Sequence, residues 1–289
     1  MAADIMRAFS SPPQALDFVL NGFISGTVGS LISPGGSGKS FFALEAAMAV
    51  SCSVPGGDLL GLKPPHHGPV MYLSAEDPES VILHRIHALG KHLNRDAQES
   101  IAQNLRIETM LGKRLDILDE KKLERIVDYC HGTRLAVFDT LTRIHTLDEN
   151  SNGDMSRIIA TLEYVATETG AAILFLHHTS KAGGRDFGTD QSASRGASVL
   201  VDNIRWSGFL RKMTESESED YSDNRIDRSP INDRRGFFVR FGVGKQNYSE
   251  IQYDKWFKRG DGGVLLPVEL KEARKNKQGK EPRNEENYF

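Results

Sequence analysis

Three short runs of apolar residues with no polar alternation limit the folds open to this chain of 289 residues. The runs are Pro69–Ser74, Leu135–Phe138 and Ala171–Leu176, and a further strand is predicted at Thr27–Ile32. Unbroken apolar strands are typical of parallel sheets that are covered on both faces. Helical patterns separate them, at Lys39–Ser51, Pro78–Gly90, Asp119–His131 and Met155–Thr169. The order predicts an α/β fold, in which a mostly parallel twisted sheet has helices on both faces.

The pattern changes after Arg205, where glycine- and aspartate-rich turns separate shorter apolar segments. Strands are predicted there at Phe237–Val243, Gln252–Phe257 and Val264–Leu266. Short strands joined by such turns favour antiparallel pairing. We therefore expect an antiparallel C-terminal extension of the same sheet.

One domain is predicted over residues 17–270, preceded by a short N-terminal arm at 1–16. Within the domain, residues 214–235 are polar and acidic, and we expect an acidic surface insertion that is either a loop or disordered. Residues 271–289 are rich in charge and poor in apolar side chains, which predicts a flexible charged tail.

Composition excludes several classes of protein. The net charge of −3 argues against a uniformly basic surface, although a local basic channel for nucleic acid stays open. Cys52 and Cys130 stand outside any CxxC or Cys/His cluster, which predicts packing roles in a reducing compartment. The start of the sequence lacks a signal-peptide pattern, and no apolar stretch reaches about 18 residues. We expect a cytoplasmic protein with no membrane partner.

The segment Ser33–Ser40 reads Ser-Pro-Gly-Gly-Ser-Gly-Lys-Ser and lies between a predicted strand and a predicted helix. This context is typical of a phosphate-binding loop, in which glycines let backbone amides turn toward phosphate oxygens. Lys39 would contact the β- and γ-phosphates, and the Ser40 hydroxyl would ligate Mg²⁺. The predicted nucleotide-binding residues here are Gly35, Gly36, Ser37, Gly38, Lys39, Ser40 and Phe41.

This loop departs from the strict motif at its first position, where Ser33 stands in place of glycine. The first turn must then be made by Ser-Pro, and we expect Gly35 and Gly36 to supply the missing backbone freedom. The motif as a whole still predicts ATP and Mg²⁺ as the ligands.

Two predicted strands end in acidic residues. Leu135–Phe138 leads directly into Asp139, which we expect to hold Mg²⁺ through water. Glu76 follows the strand Pro69–Ser74 and is predicted to be the catalytic base, or the group that orients the attacking water. Both would face the nucleotide, because the carboxyl ends of parallel strands line the ligand crevice. The alternative for Glu76 is a helix-capping role before Pro78, although Asp77 fits that role better.

A third strand ends in His177 and His178. A polar side chain at this edge can contact the γ-phosphate and report its loss to the following loop, and His178 is the better candidate for such a sensor. A histidine with only a structural role is the alternative at this position.

The order of these features resembles the RecA/DnaB superfamily. More narrowly, several blocks resemble the plasmid-encoded hexameric replicative DNA helicase RepA family, and the similarity runs from about Leu16 to Leu270. The blocks are Tyr72–Pro78, His84–Gly90, Ala193–Trp206, Phe238–Gly242 and Trp256–Leu265.

The resemblance implies an ATP-dependent helicase of plasmid replication. Its members form homohexameric rings that hydrolyse ATP at subunit interfaces and translocate on single-stranded DNA. A separate plasmid initiator and a primase are implied as partners. Arg205 would be the arginine finger that enters the neighbouring subunit's site, and Arg85 matches a position near the nucleotide. Many DnaB-like ATPases have Lys-x-Arg on a late strand as the pair that acts on the neighbouring subunit. Here Lys245 is followed by Gln-Asn, which shifts the finger role to Arg205 and gives Lys245 a supporting role.

Such rings also present two loops toward the central hole, and these correspond here to His145–Met155 and Thr179–Ser194. Lys181 and Arg185 in the second loop would contact the DNA backbone. A solvated flexible loop without a DNA-binding role is the alternative.

Two other functions stay open. The chain could be a RecA-like ATPase that binds or remodels DNA or protein–DNA complexes without unwinding. It could also be a P-loop kinase for a small molecule, although it lacks the arginine cluster of a kinase lid.

Overall fold

The computed structural model of the chain describes residues 4–179, 198–249 and 253–274. Its helices there are α1 (Ile5–Ser10), α2 (Lys39–Ser51), α3 (Glu79–Gly90), α4 (Arg95–Asn104), α5 (Glu120–Cys130), α6 (Asn152–Thr169), α7 (Ser198–Asn203) and α8 (Glu215–Asp220). Its strands are β1 (Phe18–Leu20), β2 (Phe23–Ile24), β3 (Val28–Ser33), β4 (Val70–Ser74), β5 (Leu105–Thr109), β6 (Leu135–Asp139), β7 (Ala172–His178), β8 (Trp206–Lys212), β9 (Tyr221–Ser222), β10 (Phe238–Gln246), β11 (Asp254–Arg259), β12 (Leu265–Pro267) and β13 (Lys271–Glu272).

Nine of the strands in this part of the chain form one sheet, in the order β12-β11-β10-β8-β3-β7-β6-β4-β5. The six strands from β8 to β5 pair in parallel. β10 pairs antiparallel with β8, and β11 and β12 continue the antiparallel part. The predicted α/β fold, a mostly parallel sheet with an antiparallel C-terminal extension, is confirmed.

Both faces of the central strands are buried, because alternate side chains of a strand point to opposite sides of the sheet. Leu135 and Val137 of β6 belong to the core that contains α2, while Ala136 and Phe138 belong to the core that contains α6. All four are fully buried. Each large apolar side chain buried in this way stabilises the fold by roughly 1.5–3 kcal/mol. The unbroken apolar runs therefore reflect a sheet with helices on both faces.

β8 was not predicted, although it is the parallel neighbour of β3. Its apolar pattern is interrupted by glycine and by the adjacent basic residues Arg211 and Lys212. Gly208 is needed there, since an added Cβ would lie 2.8 Å from the Phe241 ring and 3.0 Å from the Trp206 ring. The strand is therefore stabilised by packing against aromatic rings, and its own sequence has no apolar run from which it could be predicted.

The acidic segment 214–235 is mostly exposed and contains the short elements α8 and β9 together with loops, so it is ordered in part and not a disordered insertion. Thr214 and Glu217 form a capping box at the start of α8. Arg211, which is 5% exposed, donates two hydrogen bonds to Glu217, over 2.6 and 2.5 Å. Because this carboxylate is paired with a buried cation, its charge anchors the segment to β8.

The two ends of the chain differ in their contacts. α1 has no buried residue, and Ile5, Met6 and Phe9 are exposed. At the other end, β13 pairs with β9, so the predicted tail begins with four residues that are tied to the domain. Residues 275–289 lie outside the described residues. Among the helices described, none is both long and apolar enough to cross a bilayer.

Candidate nucleotide-binding site

The phosphate loop connects β3 to α2 near the centre of the sheet, at the carboxyl edge of the parallel strands. Gly36 and Gly38 have φ angles of 69° and 94°, which favour glycine. The predicted backbone freedom therefore lies at Gly36 and Gly38, and Gly35 does not have a positive φ. Ser37 stabilises the turn by donating a hydrogen bond to the carbonyl oxygen of Pro34 over 2.7 Å.

The amino end of α2 is arranged to bind an anion. Gly38 is the N-cap of the helix, and no side chain caps the amides there. These amides carry the positive end of the helix dipole, which favours phosphate. The loop and the start of the helix, as predicted, therefore present backbone donors in one place.

Lys39, the first residue of α2, is 4% exposed. Its Nζ donates a hydrogen bond to Nδ1 of His178 at the end of β7, over 2.9 Å. Burial lowers the pKa of Lys39 to about 8, although the charges of Asp139 and Glu76 oppose the shift. A phosphate next to this ammonium would restore its charge, because an opposite charge favours the protonated form.

Asp139, the last residue of β6, is fully buried and has a hydrogen bond to each carboxylate oxygen. Ser40 donates to Oδ1 over 3.2 Å, and the hydroxyl of Tyr72 donates to Oδ2 over 2.7 Å. Burial raises the pKa of Asp139, while these hydrogen bonds and Lys39 oppose the shift. Tyr72 was not predicted as a site residue, yet it orients the carboxylate toward Ser40. A buried tyrosine in an apolar strand is a signal that its hydroxyl has a partner.

Ser40 and Asp139 suit Mg²⁺, which prefers oxygen ligands and keeps several waters and phosphate oxygens in its shell. Among the described residues, no cluster of three or more histidine, cysteine or acidic side chains could hold a metal without such additional ligands. When bound, Mg²⁺ would neutralise charge on the phosphates. The pair therefore fits a metal that arrives together with the nucleotide.

Glu76 and His178 lie on the same side of the loop. Nε2 of His178 is 3.7 Å from Oε2 of Glu76, and both side chains are partly open to solvent. Neither Glu76 nor Asp77 caps α3, since its N-cap is Pro78 and no side chain makes a capping hydrogen bond. His177, the preceding residue of β7, is buried, and burial lowers its pKa to about 4, which keeps that ring neutral. His178 is therefore the histidine that contacts both Lys39 and Glu76, and its role as a sensor stays a prediction.

Arg85 and Phe41 contact each other beside the loop. The guanidinium of Arg85 lies 5.2 Å from the centroid of the Phe41 ring. Its Nη1 is 2.7 Å from Oδ2 of Asp77. The charge of Arg85 is thus already partnered by a carboxylate of the same chain.

Arg205 lies far from this site. It directly precedes β8, which runs parallel to β3, so it lies at the amino edge of the strands while the loop lies at the carboxyl edge. Lys245 is near the same edge and donates hydrogen bonds to the carbonyl oxygens of Val201 and Asp202, over 2.8 and 2.9 Å. Lys245 therefore caps the end of α7, and Arg205 remains exposed.

The predicted DNA-binding residues cannot be placed in this arrangement. Lys181 and Arg185 lie outside the described residues. In the first predicted loop, His145 is 8% exposed and accepts a hydrogen bond from the amide of Leu147 over 3.2 Å. That histidine is therefore directed into the protein.

Two basic residues near the loop were missed. Lys212 ends β8 and Arg259 ends β11. Their side chains approach Gly36 and Gly38, respectively. No sequence motif marks them, because they reach the loop only through the pairing of β8, β10 and β11 in the sheet.

Comparison with solved structures relates this arrangement to known folds. One solved ATPase domain aligns with a TM-score of 0.56 and 14% identity, covering 92% of this chain and 96% of that one. A DnaB-like replicative helicase, studied with its interactions with primase, aligns with a TM-score of 0.60 and 15% identity. That alignment covers 91% of this chain and 64% of the helicase chain. The RadB recombinase aligns with a TM-score of 0.50 and 11% identity, over 83% of this chain and 90% of that one.

At these identities the structural matches establish the fold, which is RecA-like. The sequence comparison adds the family, because the AAA domain family AAA_25 matches residues 1–184. This segment is more than half of the chain, and it contains the whole phosphate loop together with Glu76, Asp139 and His178. The protein therefore belongs to the AAA_25 family and is a P-loop NTPase with a RecA-like fold.

Proposed function

We propose that the chain is an ATP-dependent DNA helicase of plasmid replication, acting in the cytoplasm as a homohexameric ring that translocates on single-stranded DNA. The main support for a hydrolytic motor is the line of side chains Glu76–His178–Lys39, which meets the phosphate loop. The RecA-like fold and the likeness to a DnaB-like replicative helicase support the choice of a helicase.

The proposed hydrolysis uses ATP with Mg²⁺. Lys39 and the loop amides bind the phosphates, and Ser40 and Asp139 hold the metal side of the site. Glu76 orients the attacking water and accepts its proton. His178 contacts the γ-phosphate and responds when it leaves.

Arg205 is proposed to act on the neighbouring subunit. It lies at the sheet edge opposite the loop of its own chain and is exposed, so it can meet a phosphate only in another copy. An arginine that stabilises transition-state charge in this way raises the rate by roughly 10³–10⁵. Lys245 supports its position by capping α7.

Single-stranded DNA is proposed to contact Lys181 and Arg185 through its phosphates. A plasmid initiator and a primase are the proposed protein partners. The likeness to a structure that includes interactions with primase is consistent with the second of these.

A RecA-like ATPase that does not unwind DNA is the second candidate. The likeness to the RadB recombinase, which has the same fold over 83% of this chain, is consistent with it. Both candidates use the same nucleotide site.

The deciding experiment measures three properties of the purified chain. The mass in solution with and without ATP and Mg²⁺ tests whether the chain assembles into a hexamer. Stimulation of the ATPase by single-stranded DNA tests whether hydrolysis is coupled to DNA binding. Displacement of a strand from a forked duplex separates the candidates. DNA-stimulated hydrolysis without displacement would select the non-unwinding ATPase, and a monomer without Mg²⁺-dependent hydrolysis would contradict both.

A further inference from the structure

Two cations, at the ends of β8 and β11, flank the phosphate loop. Lys212 is the last residue of β8 and pairs with Val239 in β10. Phe238, the preceding residue of β10, pairs with Lys258 in β11. The register therefore brings Lys212 and Arg259 to the sheet edge where the loop lies.

Both side chains approach glycines of the loop. Nζ of Lys212 lies 3.7 Å from the point where a Cβ on Gly36 would stand. Nη2 of Arg259 lies 2.8 Å from the corresponding point on Gly38. A side chain at Gly38 would crowd Arg259, whereas Lys212 stands at van der Waals distance from the corresponding point on Gly36.

Neither cation has a carboxylate partner among the described residues, whereas their sequence neighbours do. Arg211 pairs with Glu217, and Lys258 pairs with Asp223 over 2.7 Å. Nη2 of Arg259 is buried and makes no hydrogen bond within the described part of the chain. A buried guanidinium donor without a partner costs free energy, and an anion bound at the loop would supply the missing acceptor.

The hairpin that holds Arg259 is fixed to α2. The amide of Leu265, the register partner of Arg259, donates a hydrogen bond to Oε1 of Glu45 over 2.9 Å. At Gly263 an added Cβ would come within 2.7 Å of the Phe41 ring. These contacts hold Arg259 at a set distance from the loop.

We propose that Lys212 and Arg259 contact the diphosphate part of the nucleotide bound to the same chain. They approach from the side of β3 occupied by β8 and β11, whereas His178 and Asp139 approach from the side of β7 and β6. Because the residues proposed to act at the γ-phosphate lie on that second side, the two cations act on the phosphates that ADP and ATP share. They set nucleotide affinity and leave the rate of hydrolysis to Glu76.

The test uses the full chain with Lys212→Gln, Arg259→Gln and the double variant. Kd is measured for a fluorescent ADP analogue and for ATP, and inorganic pyrophosphate is used as a competitor. Each single change is expected to weaken ADP and ATP binding equally, by roughly tenfold or more, and to weaken competition by pyrophosphate. Arg259→Lys should recover part of the affinity, because it restores the charge.

Lys258→Gln is the matched control, since it lies one residue earlier on the same strand and points to Asp223. It should bind nucleotide like the wild type, and thermal unfolding checks that all variants fold. Unchanged Kd in Arg259→Gln and Lys212→Gln, or a loss confined to ATP, would overturn the proposal. The proposal rests on nucleotide binding at the loop and not on unwinding, so a wild type that binds no nucleotide would count against the site itself.

Discussion

Lys39 donates a hydrogen bond from Nζ to Nδ1 of His178 over 2.9 Å. An ammonium group has no acceptor, so Nδ1 must be the unprotonated nitrogen and a neutral ring carries its proton on Nε2. That nitrogen faces Glu76 at 3.7 Å. A phosphate oxygen that accepts the Lys39 hydrogen bond would free Nδ1 of His178. Binding of the γ-phosphate would in this way change the contacts of the histidine, and through its Nε2 those of the Glu76 carboxylate.

His178→Ala should slow hydrolysis by roughly a hundredfold while leaving the Kd for ADP within about a factor of two. The reason is that the ring is proposed to contact the γ-phosphate, which ADP lacks. Steady-state ATPase assays and ADP titrations measure the two quantities. Equal losses of ADP affinity and rate would show that the ring only supports the loop.

Glu76→Gln should reduce hydrolysis by roughly 10²–10⁴ with ATP binding retained, because the amide cannot accept the proton of the attacking water. Single-turnover hydrolysis of bound ATP measures the chemical step. Glu79→Gln, an exposed acid in the first turn of α3, is the matched control and should behave like the wild type. Near-normal turnover in Glu76→Gln would mean that another group accepts the proton of the attacking water.

Arg205→Ala should retain nucleotide binding and lose turnover, by roughly 10³-fold or more. Lys39→Ala subunits are expected to be inactive but keep Arg205, so mixing the two variants should restore part of the activity. The recovered sites would combine the intact loop of one subunit with the arginine of another. ATPase activity is followed against the mixing ratio, and a mixture that stays inactive would argue against action across an interface.

ADP binding should take up protons near pH 8. The pKa of Lys39 is lowered to about 8 by burial, so the group is partly neutral there, and phosphate raises the pKa again. Below about pH 7 the lysine is already charged and the uptake should vanish. Calorimetric titrations in two buffers of different ionisation enthalpy measure the protons. Lys39→Arg, which stays charged, should show no uptake near pH 8.

Glu45 should make the fold less stable as the pH rises from about 4.5 toward 8. Burial raises its pKa from 4.5 to about 8, so over this range the native state binds the proton and the unfolded state has lost it. The free energy of unfolding then falls by up to about 1.4 kcal/mol per pH unit from this group. Urea unfolding at pH 5 and pH 8 measures the change.

Glu45→Gln is the comparison for that measurement. The amide is uncharged at every pH, and its oxygen can still accept the hydrogen bond from Leu265. The difference between wild type and variant should therefore grow with pH. An equal difference at pH 5 and pH 8 would mean that Glu45 does not titrate in this range.

Several features of the fold could be predicted from the sequence because their causes are local. The helix α2 begins and ends where its pattern predicted, since the glycine-rich loop and the apolar run mark both ends. The parallel sheet followed from unbroken apolar runs, and Asp139 followed from its place at the end of one of them. The catalytic roles of Glu76, His178 and Arg205 remain predictions.

Other features depended on the tertiary structure. The folding of the acidic segment required the pairing of Arg211 with Glu217, and the orientation of Asp139 required Tyr72 from a neighbouring strand. Lys212 and Arg259 reach the loop only because β8, β10 and β11 pair in one register. Local patterns specify strands and turns, because a residue's near neighbours determine backbone preference and burial. Contacts between distant strands depend on register, and a single sequence contains no local signal for it.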